Sequence, residues 1–472
     1  MNQSFSQNQP HLAFDQGTLL LTNVTRRQLA AVDDASIWQW DQRVNAYRCD
    51  AIHYAAVRDM LVHGFHSRLQ DDVPTPVPLS WPKAELHTLR PEQSQALHSW
   101  TQANRRAQVI MPTGTGKTEV ALAAMAQTKV ATLVVAPIRD LMYQWHRRIL
   151  KAFNYDAGIV GDNLFNIKPV TVTTYDSAYI HMANMGAGFG LLIFDEAHHL
   201  PGRCRREAAI LSTAPMRLAL TATPQRSDGL HTDLDWLVGP VCYDMPLSHA
   251  KGKTLADFDV VRIPVALDKH EQTLYDDCSQ LIRQFIVEKR QDCPGYNWQD
   301  LCSESGADPQ ARKIQKAYYF KRSIEDRAAE KLRVLEDLFR LHADQSMIVF
   351  AGSNAMAIDV SQRFLVPTIL SHTKKRERLA ILDGFAQGLF PVLVANRVLD
   401  EGIDVPEAKV AVVIGGQAST RQAKQRLGRI LRRAGHQRAV LYEVVCENTK
   451  EVQRSRKRRR SDAYQRTRHR RI

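Results

Sequence analysis

The sequence has no long apolar run. Crossing a bilayer takes about 20 consecutive apolar residues, and the longest stretches here, such as Val130 to Ile138, are only strand-sized. Met1 to Pro10 has neither the basic start nor the apolar centre of a secretory signal. Cysteine is sparse and scattered: Cys49, Cys204, Cys242, Cys278, Cys293, Cys302 and Cys446 form no Cys-x-x-Cys pair and no zinc-finger spacing. A disulfide scaffold and a zinc module are thereby excluded, and the thiols suit a reducing compartment. The expectation from these absences is a cytoplasmic protein, nucleoid-associated if bacterial.

What is present is an ordinary globular composition, 44% apolar and 24% charged. A chain of 472 residues suggests roughly two to four domains. The formal charge is +13, from 63 basic and 50 acidic residues. Much of it lies in one place. Between Lys450 and Ile472 stand two Lys and nine Arg against Glu451 and Asp462, a net +9 that leaves +4 for the rest. Such a basic end attracts polyanions through counterion release.

Residues 1–75 read as a small mixed module, with a helical pattern from Tyr54 to His63. A Pro-rich stretch, Asp71 to Pro82, follows and reads as a linker, because proline fixes φ and donates no hydrogen bond. Over 86–245 short β-branched runs recur, at Val109 to Met111, Thr132 to Ala136, Val170 to Thr174, Leu191 to Asp195 and Leu218 to Thr221, with helical segments between them. That alternation predicts a buried parallel sheet. Residues 246–330 read as a linker and a helical insertion. Ile324, Ala328, Leu332, Leu335, Leu338 and Phe339 predict one apolar helix face. Strand-like runs return over 331–447, and 448–472 is a basic tail. The fold class expected is α/β: two tandem lobes with parallel sheets, a mixed N-terminal module and a helical insertion.

Met111-Pro-Thr-Gly-Thr-Gly-Lys-Thr118 lies between a strand pattern and an Ala-rich helical pattern, the setting of a phosphate-binding loop. Gly114 and Gly116 let backbone N–H groups turn inward, and the helix end adds positive charge. Lys117 would neutralise the β- and γ-phosphates, and the Thr118 hydroxyl would bind Mg²⁺. Met111 stands where the full pattern has Gly. Leu191-Leu-Ile-Phe-Asp-Glu-Ala-His-His199 ends an apolar strand in paired carboxylates, where open α/β sheets bind ligands. Asp195 is suited to Mg²⁺ and Glu196 to deprotonating a water. Far along the chain, Arg429 and Arg432 in Gln425-Arg-Leu-Gly-Arg-Ile-Leu-Arg432 sit three apart. One helix face can aim both at a transferring phosphoryl group. Gly402 and Asp404 form a polar turn, with Asp404 able to accept from a ribose hydroxyl.

Taken in order with Leu89-Arg-Pro-Glu-Gln-Ser-Gln95, Ala136-Pro-Ile-Arg139, Thr173-Thr-Tyr175, Thr221-Ala-Thr223 and Val349-Phe-Ala351, these motifs resemble a superfamily 2 helicase over about 85–445. The string Gln425 to Arg432, Leu237-Val-Gly-Pro240 and the front module (Phe14 to Thr18, Trp40 to Arg43, Tyr47-Arg48) are similar to the XPB (xeroderma pigmentosum group B) type and its bacterial relatives. The front module resembles that family's damage-recognition-like domain, and the insertion its thumb-like element. The family's Arg-Glu-Asp element is matched only by Arg226-Ser-Asp228.

The resemblance implies two RecA-like lobes with ATP between them and hydrolysis by Asp195 and Glu196. Arg90, Gln93 (at the adenine edge), Pro112, Thr113, Gly114, Thr115, Gly116, Lys117, Thr118, Gly402 and Asp404 would bind ATP, with Mg²⁺ on Thr118 and Asp195. Arg429 and Arg432 would be arginine fingers. His198, Thr221, Thr223, Arg139, Thr174 and Gln425 would couple the nucleotide to DNA, which is held by its phosphates with little sequence preference. The activity implied is a 3′→5′ DNA helicase in repair or genome maintenance, with a separate nuclease or repair protein as partner. Two alternatives share the site: a duplex translocase that opens no strands, and an ATP-gated clamp with little turnover.

Overall fold

A computed structural model describes residues 9–32, 35–226, 228–246, 258–396, 408–415 and 439–459. The chain divides into two units, Met1–Pro246 and Leu247–Ile472.

The first unit opens with a five-stranded sheet in the order Gln39–Asp41, Ala46–Asp50, Thr18–Thr22, His11–Asp15, Gln70–Asp71. Leu12, Leu19 and Leu21 face Leu29, Val57 and Leu61 in its core. The helix Tyr54–Phe65 covers the expected segment. The module is fused to the sheet that follows it. Ile52 lies in the core of the larger sheet, Ala187 lies in the core of the module, and a Cβ on Gly17 (φ +85) would stand 2.8 Å from the Leu211 side chain.

The Pro-rich stretch reads as a linker in sequence, but it is strapped down. Val77 O accepts from Ala131 N (2.9 Å) and Leu79 N donates to Lys129 O (2.7 Å). Trp81 Nε1 reaches Met125 O (3.2 Å), with its ring 4.3 Å from that of Phe153. The bonds fall on the non-proline positions, and Trp81 supplies the apolar anchor.

The larger sheet has the order Val241–Asp244, Arg106–Ile110, Met216–Thr221, Leu191–Asp195, Thr132–Ala136, Val170–Thr174, Gly158–Gly161, Leu164–Asn166. Every pairing is parallel except that of Leu164–Asn166. The parallel strands therefore end along one edge. Their β-branched and aliphatic residues are buried because helices cover both faces.

The second unit carries a six-stranded parallel sheet: Phe258–Val265, Ala439–Cys446, Val410–Ile414, Met347–Ala351, Val392–Ala395, Thr368–Ile369. Phe258–Val265, from the segment read as linker and insertion, is its edge strand. Helices Lys269–Asp292, Trp298–Glu304 and Pro309–Arg327 share a core of Phe285, Tyr296, Leu301, Ala311 and Ile314. The apolar face predicted from Ile324 to Phe339 is split between two helices. Ala328 (φ −50, ψ 129) breaks the chain between Pro309–Arg327 and Ala329–Leu341. The basic segment begins as a helix, Lys450–Arg459. Its Glu451 is fully buried against Lys331 at 2.8 Å, Ser455 Oγ donates to Glu443 (2.6 Å), and Arg454 pairs with Glu325.

Candidate functional site

The strand Arg106–Ile110 delivers the phosphate-binding loop at the sheet's C-terminal edge, and the helix Lys117–Thr128 leaves it. Met111 N donates to Thr221 O (3.0 Å), and Met111 is fully buried. Its side chain thus packs in the core, and its carbonyl accepts from Lys117 Nζ at 3.2 Å. That arrangement tolerates Met where the full pattern has Gly. Gly114 and Gly116 both have φ +86. A Cβ on Gly116 would come within 2.2 Å of Gln93 Nε2, so the loop demands glycine there on two counts. Thr115 folds inward, its Oγ1 donating to Pro112 O (2.7 Å). Gln93 is buried, and both ends of its amide are engaged. Oε1 accepts from Arg90 N (2.9 Å) and Nε2 donates to Thr115 O (2.9 Å). In this form Gln93 braces the loop.

The neighbouring strand Leu191–Asp195 brings in the carboxylates. Asp195 Oδ2 accepts from Trp145 Nε1 (2.8 Å) and Oδ1 from Glu196 N (3.0 Å), and Asp195 O accepts from the Tyr175 hydroxyl (2.9 Å). Burial, and then the adjacent Glu196 charge, push the Asp195 carboxyl above its usual range, opposed by Trp145 and Lys117. Glu196 adopts a left-handed backbone (φ 47, ψ 54), a strained choice for a residue other than Gly or Asn. His198 is fully buried, with Nδ1 3.4 Å from Glu196 Oε2 and 3.2 Å from Thr221 Oγ1. Thr223 N donates to that same hydroxyl oxygen (3.2 Å). Glu196, His198, Thr221 and Thr223 thus form one connected chain. Arg226 donates to His198 O (2.7 Å) and grips Asp228 through Nε (2.9 Å).

Three buried oxygens here, Thr113 Oγ1, Glu196 Oε2 and Thr223 Oγ1, have no hydrogen-bond partner among the described residues. Buried polar atoms are rarely left so, and their grouping around a phosphate loop marks a place for a polar ligand. The donor set suits a triphosphate with Mg²⁺: a lysine, hydroxyls and two carboxylates. Among the described residues no cluster of three or more His, Cys, Asp or Glu could hold a metal alone. A cation at Thr118 and Asp195 would take its other ligands from phosphate and water, as Mg²⁺ does.

Arg139 and Thr174 lie farther along the same edge. Arg139 starts the helix Arg139–Phe153. Thr174 caps the helix Tyr175–Met185, accepting from Ser177 N (3.2 Å). Gly402, Asp404, Gln425, Arg429 and Arg432 lie outside the described residues. Sequence reading assigned no role to Trp145 or to the Tyr175 hydroxyl, both of which hold Asp195. Tyr175 stands in a quoted motif, whereas nothing in its spacing sets Trp145 apart.

Residues 12–65 match the family described as the xeroderma pigmentosum group B helicase damage recognition domain. Residues 86–226 match the type III restriction enzyme res subunit, and 313–465 the ERCC3/RAD25/XPB C-terminal helicase. The chain is 37% identical over 426 residues to the DNA 3′-5′ translocase XPB2 of Sulfurisphaera tokodaii, covering 89% of this chain and 95% of that one. It is 32% identical to the DNA 3′-5′ helicase XPB of Kineococcus radiotolerans, covering 77% of this chain but 60% of the relative. The fold is similar to S. cerevisiae Dbp5 bound to RNA and ADP BeF3, with a TM-score of 0.53 and 15% identity over 79% of this chain and 87% of that one.

Proposed function

The chain belongs to the XPB helicase family, and from that premise we propose that it is an ATP-driven 3′→5′ motor on DNA. The observation that carries this reading is the Glu196 carboxylate. It is buried on a strained backbone, and its Oε2 accepts no hydrogen bond among the described residues but lies 3.4 Å from His198 Nδ1. That ring reaches Thr221, whose hydroxyl also accepts from Thr223 N, and Asp195 is the preceding residue.

In the proposed cycle Lys117 leaves the Met111 carbonyl for the β- and γ-phosphates. Thr118 and Asp195 would hold Mg²⁺, which would supply charge neutralisation at the transferring phosphoryl group. Trp145 and Tyr175 keep Asp195 in place. Glu196 orients the attacking water and takes its proton. Movement of Glu196 is felt at His198 and then at Thr221 and Thr223. Arg429 and Arg432 are the groups proposed to stabilise the charge that builds at the γ-phosphoryl group. DNA runs along the sheet edge past Arg139 and Thr174, held by phosphates, and the motor works in the cytoplasm on genomic DNA.

The experiment is ATP turnover measured with no nucleic acid, single-stranded DNA, duplex, forked DNA and RNA. Strong stimulation by DNA is expected. Turnover unmoved by any nucleic acid would overturn the motor reading. Nucleotide-dependent DNA affinity without turnover would point to a clamp.

Translocation without strand opening is favoured by one observation. Arg226 and Asp228, the match to the family's strand-separating element, are bonded to each other, and Arg226 also donates to the His198 carbonyl. Displacement of a third strand from a triplex, with no separation of a duplex, would identify it.

A further inference from the structure

Arg139 and Asp162 both follow the C-terminal ends of parallel strands, Thr132–Ala136 and Gly158–Gly161, with Val170–Thr174 between them. The turn after Gly161 is tightly set. Gly161 has φ +138, and a Cβ there would stand 2.8 Å from Ser177 Oγ and 3.3 Å from Met142 Sδ. Asp162 and Asn163 are both left-handed, with φ 54 and 62. The Asp162 carboxylate is thereby aimed back across the edge. Its Oδ1 receives Arg139 Nη1 at 2.6 Å and its Oδ2 receives the Tyr143 hydroxyl at 2.9 Å. Arg139 and Tyr143 are one helical turn apart on Arg139–Phe153, so they present a guanidinium and a hydroxyl side by side. Two donors gripping the two oxygens of one anion is the way proteins also grip a backbone phosphate. The Arg139 side chain remains 69% exposed, so a larger anion can reach it.

We propose that Arg139 and Tyr143 form a seat for one backbone phosphate, and that Asp162 occupies this seat as an internal stand-in that the nucleic acid must displace. The proposal rests on the reading of this edge as the DNA path. Tyr143 becomes an added binding residue, and Asp162 a residue that weakens binding and keeps free Arg139 neutralised. An exposed ion pair of this kind is weak, so the latch is one that a phosphate can open.

The test uses the full chain, a fluorescent single strand, and three substitutions: Asp162→Asn, Arg139→Gln and Tyr143→Phe. Asn is well tolerated at a left-handed position, so Asp162→Asn keeps the turn. We expect Asp162→Asn to bind DNA roughly two- to fivefold tighter. Its affinity should fall more steeply with salt, by a slope of up to about one. The DNA concentration giving half-maximal ATP turnover should drop while the maximum stays the same, a split that a merely structural role would not produce. Arg139→Gln should weaken binding and erase the gain from Asp162→Asn, and Tyr143→Phe should weaken binding with the salt slope unchanged. Equal or weaker binding by Asp162→Asn, or a gain that survives Arg139→Gln, overturns the latch. A wild-type chain with no affinity for DNA would instead defeat the motor reading.

Discussion

Each unit takes a carboxylate cluster out of water, and the two clusters are finished differently. At the end of Leu191–Asp195, Lys117 is bonded to a carbonyl rather than to an acid, and Glu196 Oε2 accepts no hydrogen bond among the described residues. In the second unit Lys331 and Glu451 are fully buried, and Glu451 receives Lys331 Nζ at 2.8 and 3.0 Å and Cys446 N at 2.9 Å. Burial and Glu196 push the Asp195 carboxyl up. Burial would also push Glu451 up, but the Lys331 ammonium more than offsets it and holds Glu451 below its usual range. An incomplete cluster leaves room for a ligand's charges, and a complete one serves the fold. Chemistry should therefore fail without unfolding at the first cluster, and folding should fail at the second.

The largest effect is expected from Glu196→Gln, which should lower DNA-stimulated ATP turnover by about 10³-fold, within the range of general-base catalysis, with the melting temperature unchanged. Lys117→Ala should do likewise. A Glu196→Gln protein that turns over normally would remove Glu196 from the chemistry. Next comes Lys331→Met. Leaving Glu451 buried and unpaired should cost about 3–5 kcal/mol in denaturant unfolding. The double variant Lys331→Met with Glu451→Leu should recover most of this, because an apolar pair of similar volume replaces the ions. The sign with pH follows from the depressed Glu451 carboxyl. Its contribution is complete above the ordinary glutamate value of about 4.3, and it is lost as pH falls through the lower folded value. A smaller effect belongs to Trp145→Phe. It deletes the indole donor to Asp195 and should lower turnover roughly tenfold, as for a hydrogen bond to a charged group, with unfolding little changed.

The contrast also explains what could be read from sequence. The place of contiguous motifs in the fold was legible. Met111 to Thr118 and Leu191 to His199 carry their strand, loop and helix context with them, and the structure brings the carboxylates to the same sheet edge as the loop. Relations made only by folding were not legible. Trp145 touches Asp195 because two strands place their following segments side by side, and no periodicity encodes that. The prolines of 71–82 suggested a free linker because proline statistics report local stiffness, whereas Trp81 and the carbonyl of Val77 decide whether the segment docks. Lys331 and Glu451 were invisible for the same reason. A charge in an amphipathic pattern reads as solvated until another element covers it.

The smallest effect concerns the basic end, where charge and structure part company inside one helix. Removing 450–472 would take away Glu451 together with the arginines, and any loss of DNA binding would then be confounded by an unpaired Lys331. Removing 460–472 deletes five Arg and Asp462 and leaves the anchored turn Glu451 to Ser455 intact. The shorter deletion should leave the unfolding midpoint unchanged. It should weaken DNA binding a few-fold at moderate salt and make the dependence of log affinity on log salt shallower by up to about four, close to one for each net charge removed. An unchanged slope would show that these arginines do not neutralise phosphates, and the basic end would then be assigned to a protein partner. A lowered midpoint would place part of 460–472 within the fold and move the boundary between the closed cluster and the basic arm farther along the chain.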